Sequence, residues 1–74
     1  MMAVSYKKLW KLLIDRDMNK TELRKASGIT TSALAKLGKN KDVNTQVLTK
    51  ICGALHCNIE DIMEVVEEGN TDNE

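Results

Sequence analysis

The sequence of 74 residues lacks several features on which common functional classes depend. It contains no proline, which argues against a linker or a proline-rich ligand. No apolar run approaches the roughly 20 residues that span a bilayer. Residues 1–14 also lack the uninterrupted apolar core of a signal peptide. We therefore expect a cytoplasmic protein without a membrane partner.

Metal-binding and nucleophilic side chains are scarce. Cys52, His56 and Cys57 form a C-x3-H-C cluster, but structural zinc usually needs four protein ligands and there is no second pair. A reduced, buried Cys52 is the simpler interpretation. His56 is the single histidine and lies at the end of a predicted helix, where a helix-terminal role is favoured over catalysis. We predict no metal, no cofactor and no enzymatic activity.

Small size and few aromatic residues narrow the range of ligands further. A chain of this length forms one domain and buries only about 60% of its unfolded surface, which disfavours a large enclosed cavity. We expect neither a second sensing domain nor a small-molecule effector. Proteins that bind single-stranded nucleic acids stack bases on exposed aromatic rings, and only Tyr6 and Trp10 are available. The chain is therefore poorly equipped to bind single-stranded nucleic acids.

Charge is distributed unevenly although the formal net charge is zero. Residues 1–50 contain all 11 basic residues and four acidic ones, which gives +7. Residues 51–74 contain seven acidic residues and no lysine or arginine, which gives −7. Such asymmetry is a hint of nucleic-acid binding with an acidic tail, and solubility alone is the competing interpretation.

Apolar periodicity predicts an all-α domain over residues 1–66, followed by an acidic disordered tail over 67–74. No stretch shows the alternation of a half-buried strand. Five helices are predicted, at about residues 5–16, 20–27, 31–37, 45–55 and 59–66.

Capping residues predict where the second and third helices begin and end. Asn19 and Glu22 have the spacing of a capping box. Gly28 suits the left-handed conformation that closes a helix, and Thr30 can cap the next one. Two short helices therefore meet across residues 27–30, as in a helix-turn-helix.

Two segments carry a resemblance to a known family. Residues 18–37 read MNKTELRKASGITTSALAKL and residues 44–62 read NTQVLTKICGALHCNIEDI. This sequence resembles the helix-turn-helix regulators of the Cro and C-repressor type, also called the XRE type, over about residues 5–66. The resemblance implies a five-helix bundle, that is, a lambda-repressor-like DNA-binding domain. It also implies that the third helix enters the major groove of DNA.

The resemblance also implies a set of DNA-contacting residues. Hydroxyl groups of the recognition helix can bond to base edges, an alanine methyl can meet a thymine methyl, and lysines can reach guanine or phosphate. Thr30 as a plain N-cap and Lys41 as a solvated lysine are the competing interpretations. The predicted DNA-binding residues are Lys20, Thr30, Thr31, Ser32, Ala33, Lys36, Lys39, Asn40, Lys41, Asn44 and Thr45.

Two positions depart from the pattern of the family. Arg24 stands where a small residue is usual, so its charged end must extend to water. Gly38 stands where many members carry glutamate, which predicts an early end to the recognition helix.

The predicted function is that of a repressor-like, sequence-specific regulator that binds double-stranded DNA as a homodimer on two half-sites. An antitoxin-like or co-regulator protein that binds another protein is the alternative. The first helix has a second apolar stripe, which can pack within the chain or against another chain. The predicted dimer interface consists of Trp10, Ile14, Ile59, Ile62, Met63 and Val66.

Overall fold

The computed structural model describes residues 2–67 and shows four α-helices with a small two-stranded sheet. A single 3₁₀ turn, Ile59–Asp61, precedes the second strand. The elements in chain order are β1 (Met2–Ser5), α1 (Lys7–Asp15), α2 (Lys20–Ser27), α3 (Thr31–Gly38), α4 (Thr45–Leu55) and β2 (Glu64–Glu67).

One hydrophobic core joins all four helices. Its members recur about one turn apart in α1, α3 and α4, as Leu9 and Leu13 do in α1, and α2 contributes Leu23. The buried face of α4 consists of Leu48, Ile51 and Leu55, and Cys52, which was predicted to be buried, is half-buried at its edge. Within residues 2–67 the buried apolar side chains are Tyr6, Leu9, Leu13, Leu23, Ile29, Ala33, Leu37, Leu48, Ile51, Leu55 and Ile62.

The turn between α2 and α3 has the predicted structure. Asn19 Oδ1 accepts from the Glu22 N–H at 2.8 Å, and Glu22 Oε1 accepts from the Asn19 N–H at 2.9 Å. Gly28 closes α2 with φ = 76°, a conformation that a side chain would strain. Thr30 Oγ1 then accepts from the Ala33 N–H at 3.0 Å and caps α3. The predicted caps therefore form at the starts of both helices, and the left-handed glycine ends α2.

The predicted ends of the helices are approximately correct. The first helix begins at Lys7 rather than at Ser5, because Ser5 belongs to β1. The third helix includes Gly38 and is capped by Lys39, so the glycine does not shorten it. Arg24 is half-buried, as expected for an arginine whose stem packs against the domain while its charged end reaches water.

The predicted fifth helix is wrong, and so is the five-helix, purely α-helical architecture. The segment forms only the 3₁₀ turn and then β2, which pairs antiparallel with β1. Ala3 lies opposite Val66, and Val4 lies opposite Val65. The β-branched pair Val65 and Val66 favours a strand, and β1 supplies the backbone partner that a strand needs.

The sheet changes the predicted boundary of the tail. Glu67, predicted as the first residue of a disordered tail, is the last residue of β2. The rest of that predicted tail, residues 68–74, lies outside the described residues.

Ile59 and Ile62 differ in burial, although the predicted fifth helix placed them on the same side. The 3₁₀ turn contacts α1 and α4. Ile62, directly after the turn, is completely buried, whereas the side chain of Ile59 is 41% exposed. Ile62 therefore belongs to the core and closes it at the C-terminal end of α4.

This difference predicts unequal effects of truncating the two side chains. Ile62→Ala should lower the free energy of unfolding by about 2–4 kcal/mol, because it leaves a cavity in the core. Ile59→Ala, the matched control, should change it by less than about 1 kcal/mol. Urea denaturation measures both. Equal losses for the two variants would contradict the position of Ile62 in the core.

Candidate nucleic-acid interface

One face of α3 is exposed to solvent. Ala33 and Leu37 point inward, so the helix turns a contiguous strip of its surface outward. The exposed side chains of this strip are Thr31, Ser32, Ala35 and Lys36. Two hydroxyls, a methyl group and an ammonium group are therefore presented side by side.

The exposure of one predicted DNA contact on this helix is low. Ala33 is only 9% exposed, packs against the core and borders the groove beside α3. Ala35 occupies the outer face instead and was missed by the sequence prediction. Helical spacing could have predicted the exposure of Ala35. Ala33 and Leu37 are one turn apart on the inner side, and Ala35 lies between them on the opposite side.

Thr30 acts as a helix cap. Its hydroxyl oxygen accepts the Ala33 N–H, as the alternative interpretation of this residue required. Asn44 plays the same part at α4, where its Oδ1 accepts from the Val47 N–H at 3.1 Å. Thr45, the first residue of α4, is exposed. The N-terminal ends of both helices are thus well ordered, and their free amide groups favour an anion.

A shallow groove of about 270 Å³ separates α3 from the first two turns of α4. Ser32 and Lys36 line one wall, and Gln46 and Lys50 line the other. The sequence prediction missed Gln46 and Lys50. They are one turn apart on the side of α4 opposite its buried leucines, which is the position that periodicity assigns to a solvated face.

The loop after α3 carries two exposed lysines, Lys39 and Lys41, on either side of Asn40. Asn40 has a left-handed backbone with φ = 55°, which asparagine tolerates better than most residues. Its Oδ1 accepts the backbone N–H of Tyr6 at 3.0 Å. The Tyr6 hydroxyl donates to the Lys41 carbonyl oxygen at 2.8 Å. The α3–α4 loop is thereby attached to the start of α1.

Burial has an electrostatic effect on this tyrosine. Desolvation raises the pKa of the Tyr6 hydroxyl above its usual value, and the nearby Asp42 carboxylate raises it further. A tyrosine hydroxyl is already protonated at neutral pH, and the raised pKa extends to higher pH the range over which it remains a hydrogen-bond donor.

Lys20 and Trp10 contact each other, although one was predicted to bind DNA and the other to form a dimer. The Lys20 ammonium lies 4.7 Å from the centre of the Trp10 ring, within the range of a cation–π interaction. A Cβ built on Gly38 would lie 4.0 Å from Lys20 Nζ. The ammonium group therefore sits between α1 and the C-terminal end of α3, whose partial negative charge favours it.

The predicted dimer residues do not form one helical stripe. Ile62 is part of the core and is unavailable to a second chain, and Met63 is half-buried against that core. Ile14 is 74% exposed, and Ile59 and Val66 are partly exposed on other elements. Of the predicted set, Ile14, Ile59 and Val66 are the most accessible, and Trp10 is half-buried beside Lys20.

The two cysteines are free thiols and half-buried. Burial raises the pKa of the Cys52 thiol, and the adjacent Cys57 thiol raises it further, which disfavours the reactive thiolate. Within residues 2–67 no group of three or more His, Cys, Asp or Glu side chains is arranged to hold a metal. No helix in that part of the chain is long and apolar enough to cross a membrane.

Comparisons with known proteins agree with this geometry. A family model of the Cro/C1-type HTH DNA-binding domain matches residues 8–68. The crystal structure of transcriptional regulator VanUg, Form II, is similar with a TM-score of 0.88 and 58% sequence identity, over 90% of this chain and 89% of that chain. Comparison with curated protein sequences gives no match. Since the family model covers most of the chain and the helix-turn-helix is formed, the chain belongs to the Cro/C1-type helix-turn-helix DNA-binding domains.

Proposed function

We propose that this protein is a sequence-specific transcriptional regulator that places α3 in the major groove of double-stranded DNA and represses by occupying its site. The observation that carries the proposal is the outward strip of α3, which begins at a capped helix N-terminus and is flanked by exposed lysines. The description of VanUg as a transcriptional regulator supports the same role.

Residues at the start of α3 read the bases. Thr31 and Ser32 have exposed hydroxyl groups that donate to or accept from base edges. Ala35 takes the role predicted for Ala33 and brings a methyl group toward thymine methyl groups. Lys36 reaches guanine acceptors or a phosphate, according to its rotamer.

Residues around this helix hold the sugar-phosphate backbone. Lys39, Lys41 and Thr45 flank one end of α3, and Lys50 borders the groove beside it. Their contacts are independent of sequence and fix the register of α3 on the duplex. Because each such contact releases counterions, the affinity falls steeply as the salt concentration rises.

Two copies act together on one operator. A single short helix contacts only a few base pairs, and two-fold dimers of such domains read half-sites about 34 Å apart. Ile14, Ile59 and Val66 supply apolar surface that a second copy covers.

Selection from a random duplex DNA pool at near-physiological salt tests the function directly. We expect enrichment of a two-fold symmetric site, because two copies of α3 read equivalent half-sites. Sequencing of the retained DNA gives both the half-site and its spacing. Enrichment of one asymmetric site would argue for a monomer. No enrichment would contradict the proposal and favour the protein-binding alternative.

Changes on the outer strip of α3 should abolish site recognition. The double variant Thr31→Ala/Lys36→Glu removes a base-contacting hydroxyl and repels DNA, so it should weaken binding to the selected site on the order of 100-fold. Lys11→Glu makes the same charge change on the exposed side of α1 and is the matched control. Fluorescence anisotropy measures both. If the double variant binds as well as Lys11→Glu, α3 is not the recognition helix.

Polar substitution of the accessible apolar residues should weaken dimerisation. Ile14→Gln and Val66→Thr each remove apolar surface while leaving the core intact, and Ile14→Val is the conservative control. Analytical ultracentrifugation with and without the selected duplex measures the association state. An unchanged dimer in both polar variants would show that the interface lies elsewhere.

A further inference from the structure

We infer that Tyr6 is a positioning residue for DNA binding, because it holds the α3–α4 loop in the shape that lets Lys39 and Lys41 contact phosphates together. This inference rests on the proposed function. Tyr6 itself touches no DNA, since its side chain is only 1% exposed. It acts through the loop that it attaches to the start of α1.

Two hydrogen bonds from one residue define the attachment. The Tyr6 backbone N–H donates to Asn40 Oδ1 at 3.0 Å, and its hydroxyl donates to the Lys41 carbonyl oxygen at 2.8 Å. Both bonds join segments more than 30 residues apart in the chain. A rigid, buried ring connects the two donors, so the loop is held at two successive residues rather than at a single point.

The other side of the loop is fixed to the recognition helix. The Lys39 and Lys41 N–H groups both donate to the Lys36 carbonyl oxygen, at 3.1 and 2.9 Å. The Asn40 N–H donates to the Leu37 carbonyl oxygen at 3.2 Å. The loop is therefore braced between the end of α3 and Tyr6, with the two lysine side chains left exposed.

Asn40 takes a different part from the one predicted for it. Its amide oxygen is engaged with Tyr6, and its backbone is left-handed at φ = 55°. The residue thus shapes the loop between the two lysines instead of reading DNA with that oxygen. Asparagine suits both requirements, because it tolerates the left-handed conformation and carries an acceptor.

A braced loop lowers the cost of binding. Two lysines on a free loop must lose conformational entropy when they meet phosphates, whereas a preorganised loop has already lost it. Phosphate contacts carry no sequence information. Loss of the brace should consequently weaken binding to all duplexes alike, without changing the preference among them.

Tyr6→Phe removes only the hydroxyl donor and keeps the buried ring. We expect affinity for the selected duplex and for an unrelated duplex to fall by the same factor, about 2- to 10-fold. The slope of log K against log salt concentration should become shallower by about one. Anisotropy titrations at several salt concentrations, below the melting transition of both proteins, measure these quantities.

A double-mutant cycle distinguishes positioning from general stabilisation. If Tyr6 acts through the lysines, Tyr6→Phe should have no further effect on affinity in a Lys39→Ala/Lys41→Ala background. Equal loss in both backgrounds would overturn the inference. Asn40→Gly keeps the left-handed backbone and removes the acceptor, so it should lower the affinity as Tyr6→Phe does. This variant replaces Tyr6→Phe in the cycle if Tyr6→Phe does not fold.

The outcomes separate this inference from the proposed function. A wild-type protein that binds its selected site, together with an additive cycle, would overturn the role of Tyr6 and leave the regulator proposal intact. A wild-type protein that binds no duplex would overturn both.

Discussion

Every helix of this domain depends on burial in one shared core, because none is long enough to be stable alone. Isolated helices shorter than about 12–15 residues are marginal in water, and α4, the longest here, has 11 residues. α2 and α3 have eight each. Leu23 and Leu37, both completely buried, tie these two short helices to α1 and α4 through the common core. The outer face of α3 is therefore formed only as long as the core is packed.

The same core determines which side of each helix is exposed to solvent. Burial of Ala33 and Leu37 leaves Thr31, Ser32 and Lys36 outside. Burial of Tyr6 brings its two donors to the loop that follows α3. The inner face of each short helix therefore packs in the core while its outer face is exposed. Some polar side chains form hydrogen bonds to the backbone, and the others face solvent.

The site was largely predictable where local spacing controls it. The capped start of α3, the glycine turn and the exposed Thr31 follow from patterns within a few residues. Contacts between different elements could not be predicted from local spacing. The hydrogen bond from the Tyr6 N–H to the Asn40 side chain joins residues 34 positions apart. The cation–π contact of Lys20 with Trp10 joins two different helices. The DNA contact predicted for Asn40 and the dimer contact predicted for Trp10 stay predictions.

Local sequence features were enough to predict the four helices, the side-chain caps at the starts of α2 and α3, and the helix-turn-helix, because those features depend on propensity, periodicity and hydrogen bonds between near neighbours. The structure of residues 59–67 depends instead on contacts with distant segments. The spacing of their apolar residues predicted a helix, whereas Glu64–Glu67 forms a strand because it pairs with β1, about 60 residues away. The periodicity of one segment does not show which distant segment it will pair with. Neither the sheet nor the burial of Ile62 could therefore be predicted from the sequence.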